Sequence, residues 1–273
     1  MFSCRSCGAS CRSIIPLGLL PLANALLLSV ENIEEHRCNL EVMLCDNCGL
    51  AQLRDLIDPK DLFSEYVYFS SNSETMLKFV ADLVGRILPE LPGNPFIVEI
   101  ASNDGYLLKN YVKAGIRVLG IDPAHMAKNI AKVANEDGIP TLCHFFGEEL
   151  AAQLASEGKE ADVIHANNVM AHVPDINGFI GGVKTLLKPN GYAVIEVPYF
   201  LDLVKKLEFD TIYHEHVFYF TVKALSLAFT SHELEIYDLV AMPYRPASLP
   251  AKQGIKHKNY PRKLFWIIRD GYL

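Results

Sequence analysis

Between Phe96 and Val197, short apolar runs alternate with segments of helical period, and no other feature of the chain restricts its fold as much. The runs are FIVEI (96–100), RVLGI (117–121), a short one at 141–144, ADVIHA (161–166) and YAVIEV (192–197). Each is too short for a helix and most are rich in Ile and Val, as strands are. Amphipathic stretches at 106–114, 125–135, 148–157 and 176–187 separate them. Strands joined through helices cannot pair as hairpins, so they pair in parallel, with the helices covering both faces. The expectation is an α/β fold: a doubly wound, mostly parallel, Rossmann-like sheet over residues 96–240. A further helix is expected at 74–88, within a linking segment at 61–95 that ends at Pro89, Pro92, Gly93 and Pro95.

The first 60 residues are of another kind. They hold six of the seven cysteines, and four of these form two pairs, Cys4-x-x-Cys7 and Cys45-x-x-Cys48. Two thiolates on one tight turn reach the same metal, and two such turns complete a tetrahedron. Gly8 and Gly49 follow the pairs, where such a turn favours glycine. Cys4, Cys7, Cys45 and Cys48 are therefore expected to hold one structural Zn2+, with Cys11, His36 and Cys38 as spare ligands. An odd, clustered cysteine set fits a reducing compartment better than a disulfide framework, which implies a cytoplasmic protein. Ser13 to Val30 is uncharged, but Pro16, Gly18, Pro21 and Asn24 interrupt it. It is expected to be a buried, irregular segment rather than a membrane anchor. A net charge of −7 disfavours nucleic acid as a partner.

In an open α/β sheet, ligands sit beyond the carboxyl ends of the strands. The first strand ends in Glu99-Ile-Ala101-Ser102-Asn103-Asp-Gly105, a turn of small and polar residues that lets a ligand approach the backbone. The second ends in Gly120-Ile-Asp122-Pro123, whose acid can accept both hydroxyls of a ribose. A G-x-G-x-x-G fingerprint is missing, so no pyrophosphate cradle is expected. S-adenosylmethionine has a ribose, an adenine and an amino-acid end but no phosphate, and it suits this turn better. Asn167, Asn168 and His172, after the fourth strand, are placed to line its methionine half. In this order the motifs resemble the class I S-adenosylmethionine-dependent methyltransferases.

Further stretches narrow the resemblance. CRSCG (4–8), PLAN (21–24), HRCNLEVMLCDNCGLAQL (36–53), YVYFSSNS (66–73), EIASNDGYLL (99–108), NNVMAHVPD (167–175) and YHEHVFYFT (213–221) are similar to the bacterial sugar C-methyltransferases. The similarity covers roughly residues 1–240. It implies C-methylation of a nucleotide-linked ketosugar in deoxysugar biosynthesis, with a zinc-binding domain packed beside the active site. It also implies that His216 is the general base, that Tyr213 and Glu215 contact the substrate, and that Tyr66 or Tyr68 lies close by. The chemistry gives such residues a purpose. Carbon beside a ketone becomes nucleophilic only after losing a proton, and the enolate oxygen then needs a partner.

The sequence also departs from that family, whose members continue into a third domain. Residues 240–273 carry seven Lys/Arg and one acid, a balance of +6 against −13 for the rest. Residues 241–273 are accordingly expected to be an atypical basic tail foreign to the fold. Two other readings stay open: a truncated, non-catalytic protein that binds S-adenosylmethionine and zinc, and a methyltransferase for another small molecule.

Overall fold

A computed structural model describes residues 2–24, 35–63, 69–123, 130–242 and 263–269. The N-terminal part is antiparallel: β1 (Phe2–Ser3), β2 (Ser10–Pro21), β3 (Arg37–Cys45) and β4 (Ala51–Leu53). Two helices follow, α1 (Pro59–Phe63) and α2 (Glu74–Ile87). Then come β5 (Phe96–Ile100), α3 (Leu108–Lys113), β6 (Arg117–Ile121), α4 (Ile130–Glu136), β7 (Thr141–Leu142) and α5 (Glu148–Ser156). The rest comprises β8 (Ala161–Asn167), α6 (Ile176–Leu186), β9 (Leu187–Pro198), α7 (Phe200–Lys206), β10 (Phe218–Tyr219), α8 (Val222–Thr230), β11 (Glu235–Met242) and β12 (Lys263–Arg269).

Seven strands form one sheet in the order β11-β12-β9-β8-β5-β6-β7, every pairing parallel. Successive residues of a strand face opposite layers. Ile97, Val163 and Val194 pack with Phe79, Leu83 and Tyr111 of α2 and α3. Their neighbours Val98, Ile164 and Ile195 pack with Leu150, Phe179, Ile180 and Phe229 of α5, α6 and α8. This is the doubly wound fold expected. Helix α2 buries Met76, Phe79, Val80, Leu83, Val84 and Ile87, one stripe of a 3.6-residue period, and Ser73 Oγ caps it by accepting from Met76 N at 3.3 Å. The chain runs from β5 outward to β7 and returns to β8 on the other side of β5. The strand order therefore reverses between β5 and β8, and the crevice beyond their carboxyl ends is where such a sheet takes a ligand.

Two expectations need correction. The segment beginning at Ser13 is not a buried, irregular stretch. As far as Pro21 it belongs to β2, with Leu19 65 % exposed, and residues 25–34 lie outside the described part. Pro16 and Gly18 fit because β2 is an edge strand over most of its length, and the register against β3 shifts between Ser13 and Ile15 and again between Pro16 and Gly18. Nor is the basic tail wholly foreign to the fold. Lys263–Arg269 lies between β9 and β11, paired to both. Among the flanking cations, LFWIIR holds five consecutive apolar residues that suit a central parallel strand.

The smaller sheet has the order β1-β2-β3-β4-β10. Its last strand comes from beyond β9, so the cysteine-bearing module and the larger domain share a sheet. Cys4, Cys45, Cys48 and Leu50 sit in the same core cluster as Phe179 and Phe218. Asn177, in the first turn of α6, donates through Nδ2 to the carbonyls of Arg5 and Ser6 at 3.0 and 3.1 Å.

Candidate active site and zinc cluster

The two Cys-x-x-Cys turns are built alike. Gly8 N donates to Cys4 O at 2.9 Å and Gly49 N to Cys45 O at 3.0 Å, and the glycines take φ of +73° and +75°. The four sulfurs lie within 4.8 Å of one another, with Cys4 and Cys48 at 3.7 Å and Cys7 and Cys45 at 3.6 Å. A tetrahedral shell with Zn–S about 2.3 Å separates its sulfurs by about 3.8 Å, so the donor set fits zinc. Gln52 on β4 supports it: Nε2 donates to Cys4 Sγ at 3.2 Å, and Oε1 accepts from Arg5 N at 3.0 Å. Hydrogen bonding with Cys48 is the chief reason the Cys4 thiol is drawn down to about 4. Cys11, Cys38 and His36 stand outside the four-sulfur group.

At the crevice the turn after β5 is tied to β6. Ala101 N and Ser102 N donate to Ile121 O at 2.7 and 3.2 Å, and Asn103 N donates to Asp122 Oδ2 at 2.8 Å. Gly105 has φ +75°, and a Cβ there would run into Ile139. Six described non-glycine residues have positive φ, and three of them, Ala101, Asn103 and Asn168, edge this crevice. Such strain, about 1–3 kcal/mol per residue, persists where surrounding structure enforces it, and it gathers at ligand sites. Glu99 is buried beneath the turn. Desolvation first, then Asp122 and Asp104, raise its carboxyl well above the usual range. Pro123 is half-buried beside Asp122. From α2's side, Ser70 N donates to Asn103 Oδ1 at 3.0 Å. Asn167 and Asn168 close the β8 side: Asn167 Nδ2 donates to Glu196 Oε2 at 2.7 Å, and Asn168 N donates to Glu196 O at 3.0 Å.

Next to these asparagines sits the YHEH segment. It is a turn closed by His216 N donating to Tyr213 O at 3.1 Å, which brings Tyr213 and His216 to one side. An extended strand would have separated them. His216 Nδ1 is 2.9 Å from Thr211 O, a carbonyl that can only accept, so Nδ1 carries the proton. The Nε2 lone pair then receives the Tyr213 hydroxyl at 2.8 Å. Burial, and next His172, push His216 well below the ordinary imidazole value and keep it neutral. His172, expected at the methionine half of the cofactor, lies against this turn. It donates through Nδ1 to Glu215 O at 2.9 Å, and its ring lies 4.8 Å from that of His216. Burial lowers it to about 4. The cysteine module holds the same turn, with His214 Nε2 donating to Cys38 O at 3.2 Å and Asn24 Nδ2 donating to Glu215 Oε1 at 2.5 Å. Desolvation raises the Glu215 carboxyl. Tyr66 and Tyr68 lie outside the described residues. Sequence reasoning missed Thr211, Asn24 and Glu196. Asn24 carried a signal in its PLAN motif, whereas the Thr211 carbonyl carried none.

A methyltransferase domain profile matches residues 73–239, and a zinc binding domain profile matches residues 4–63. The chain belongs to the methyltransferase family, with a zinc-binding domain ahead of the cofactor fold. Among curated relatives, C-methyltransferase NovU from Streptomyces niveus is 35 % identical over 240 residues, which is 86 % of this chain and 56 % of that protein. The chain thus spans little more than half of that relative's length. A ubiquinone biosynthesis O-methyltransferase from Bartonella tribocorum is 25 % identical over 55 % of this chain and 64 % of its own. Among solved structures, a SAM dependent methyltransferase from Archaeoglobus fulgidus superposes with a TM-score of 0.44 at 16 % identity, covering 64 % of this chain and 74 % of that one. No helix among the described residues is long and apolar enough to cross a membrane.

The crevice allows a direct test of ribose recognition. Asp122→Ala should weaken S-adenosylmethionine binding by about 1.5–3 kcal/mol for each ribose hydroxyl it holds, the worth of a charge-assisted hydrogen bond. Calorimetric titration measures this. Unchanged affinity, or a preference for NAD, would place the ribose elsewhere.

Proposed function

We propose that the chain catalyses S-adenosylmethionine-dependent C-methylation of a nucleotide-linked ketosugar, passing through an enolate. The observation that carries this reading is the Tyr213–His216 turn, set against His172 where β8 ends, beside the methionine side of the crevice. O-methylation of a hydroxyl needs at most one base. A carbon acid needs a base that stays unprotonated and a donor for the enolate oxygen. His216 is fixed in the tautomer that presents Nε2, and burial keeps it neutral. Tyr213 is half-buried, whereas His216 is buried and its Nε2 meets the Tyr213 hydroxyl, so the proposed proton path to Nε2 runs through or beside that hydroxyl. Glu215, its carboxyl raised by burial, is suited to hold a sugar hydroxyl. Asp122 and the Ala101–Gly105 turn hold the cofactor, and Asn167 and Asn168 face its amino-acid end. The bound cofactor supplies an electrophilic methyl group.

Similarity to NovU, whose name states a C-methyltransferase, supports the same reading. Turnover against a panel of nucleotide-linked ketosugars, with the new methyl group located in the product, tests it. A C-methylated sugar is the expected result. Methyl transfer only to oxygen or nitrogen, or cofactor binding with no turnover on any member of the panel, would overturn it.

A further inference from the structure

Glu196 stands near the carboxyl end of β9, 1 % exposed, and the chemistry above assigns it no part. It lies opposite Asn167 in the parallel register of β8 and β9. Asn167 Nδ2 donates to its Oε2 at 2.7 Å. The amide nitrogen donates and the carboxylate oxygen accepts, so this contact fixes which end of the asparagine amide is which. Asn167 Oδ1 therefore points away from Glu196. It is buried and meets no donor among the described residues. A buried acceptor left without a donor is destabilising, and an arriving ligand donor removes that cost. Through its main-chain carbonyl Glu196 also accepts from Asn168 N, while Asn168 is held at φ +52°. One residue of β9 thus sets both asparagines at the end of β8.

Position selects the donor. Asp122, the ribose acid, follows β6, and β8 lies on the opposite side of β5. A cofactor laid across the end of β5 with its ribose at Asp122 puts its amino-acid end at β8. That end carries an ammonium, which only donates, and a carboxylate, which only accepts. An amide oxygen receives the first and repels the second. We propose that Glu196 is a positioning residue for cofactor recognition: it turns the Asn167 amide so that Oδ1 receives the α-ammonium of S-adenosylmethionine, and its own charge balances that cation one amide away. The inference rests on the cofactor assignment above.

The test is titration of the chain with S-adenosylhomocysteine and with the analogue that lacks the α-amino group. The wild type should prefer the amino compound by about tenfold or more, the worth of one charge-assisted hydrogen bond. In Glu196→Gln the new amide can donate to Asn167 Oδ1, which lets the asparagine flip and present Nδ2 to the ammonium. The preference should then shrink to within about threefold, while affinity for adenosine, which has no amino-acid end, is unchanged. A purely structural role would weaken all three ligands together. Glu196→Asp holds its carboxylate too far back to reach the amide. It should give the same loss in smaller measure, and it decides the matter if the glutamine variant does not fold. A wild-type preference that survives in the folded variants, or a wild type that binds both homocysteine compounds equally, overturns the role of Glu196 and leaves the cofactor assignment standing. A wild type that binds none of the three overturns that assignment, and this inference with it.

Discussion

Replacing Cys45 and Cys48 with serine should release one zinc ion per chain and reduce methyl transfer far more than cofactor affinity. Structural zinc contributes on the order of 10 kcal/mol to small domains that depend on it, so loss of the ion unfolds what it holds. What it holds here extends beyond residues 1–60. Gln52 donates to Cys4 Sγ and, on the same short strand, pairs with Phe218 of β10. Leu53 N donates to Val217 O at 2.8 Å, one residue past His216. Cys38 O and Asn24 bind His214 and Glu215 directly. The turn carrying Tyr213 and His216 is thus suspended from the zinc module on one side and from the larger domain on the other. The crevice around Asp122 draws its backbone contacts from β5 and β6 instead. Elemental analysis, hydrogen exchange and cofactor titration of the double mutant should show no zinc, lost protection over the first four strands and residues 213–219, and S-adenosylmethionine affinity within about threefold of wild type. Full zinc retention would rule out the four-thiolate shell. Wild-type turnover in zinc-free protein would break the link between the module and the turn.

The features legible in the sequence are those encoded locally. A Cys-x-x-Cys-Gly turn closes on itself through a bond from the glycine to the first cysteine, so five residues suffice to read it. The strands β5, β6, β8 and β9 each announce themselves by an apolar run between polar turns, and their order follows from the βα alternation. What stayed hidden depends on distant partners. The partition of β10 into the smaller sheet is set by pairing with β4, more than 160 residues earlier in the chain, and PheTyr alone carries no address. The left-handed Ala101 is invisible because alanine has no local preference for φ +57°; bonds from its neighbourhood to Ile121 enforce it. Main-chain acceptors such as Thr211 O cannot be recognised from side-chain chemistry at all. Charge misled in one place: seven cations across residues 240–273 masked a run of five apolar residues that completes the sheet.

His216→Asn should abolish both methyl transfer and exchange of the substrate's α-carbon hydrogen with solvent deuterium, while cofactor binding persists. General acid–base groups contribute about 10²–10⁴-fold, and asparagine keeps a polar side chain of similar reach without a basic nitrogen. Exchange isolates the proton step, because it needs the proposed base and ketosugar but not the methyl group. The pH dependence carries a second signature. The base works when neutral. Burial and the neighbouring His172 lower its pKa in the folded protein below the ordinary 6.5, so the neutral form persists as pH falls past that value. The acidic limb of kcat/KM should therefore lie below pH 6.5 rather than at it. Among the described residues, Tyr213 faces this imidazole through its hydroxyl, His172 through its ring, and Thr211 through a carbonyl that does not titrate. If His172 acts by repulsion, His172→Asn should raise the pKa of His216 toward the ordinary value and move the limb upward with exchange retained. Loss of exchange in that variant would instead make His172 a base in its own right. Tyr213→Phe separates relay from contact. Exchange slowed with KM unchanged makes the hydroxyl part of the proton path, whereas a raised KM with exchange intact makes it a substrate contact. Exchange at the wild-type rate in His216→Asn would remove the role from His216 and make His172, whose ring lies against it, the next candidate.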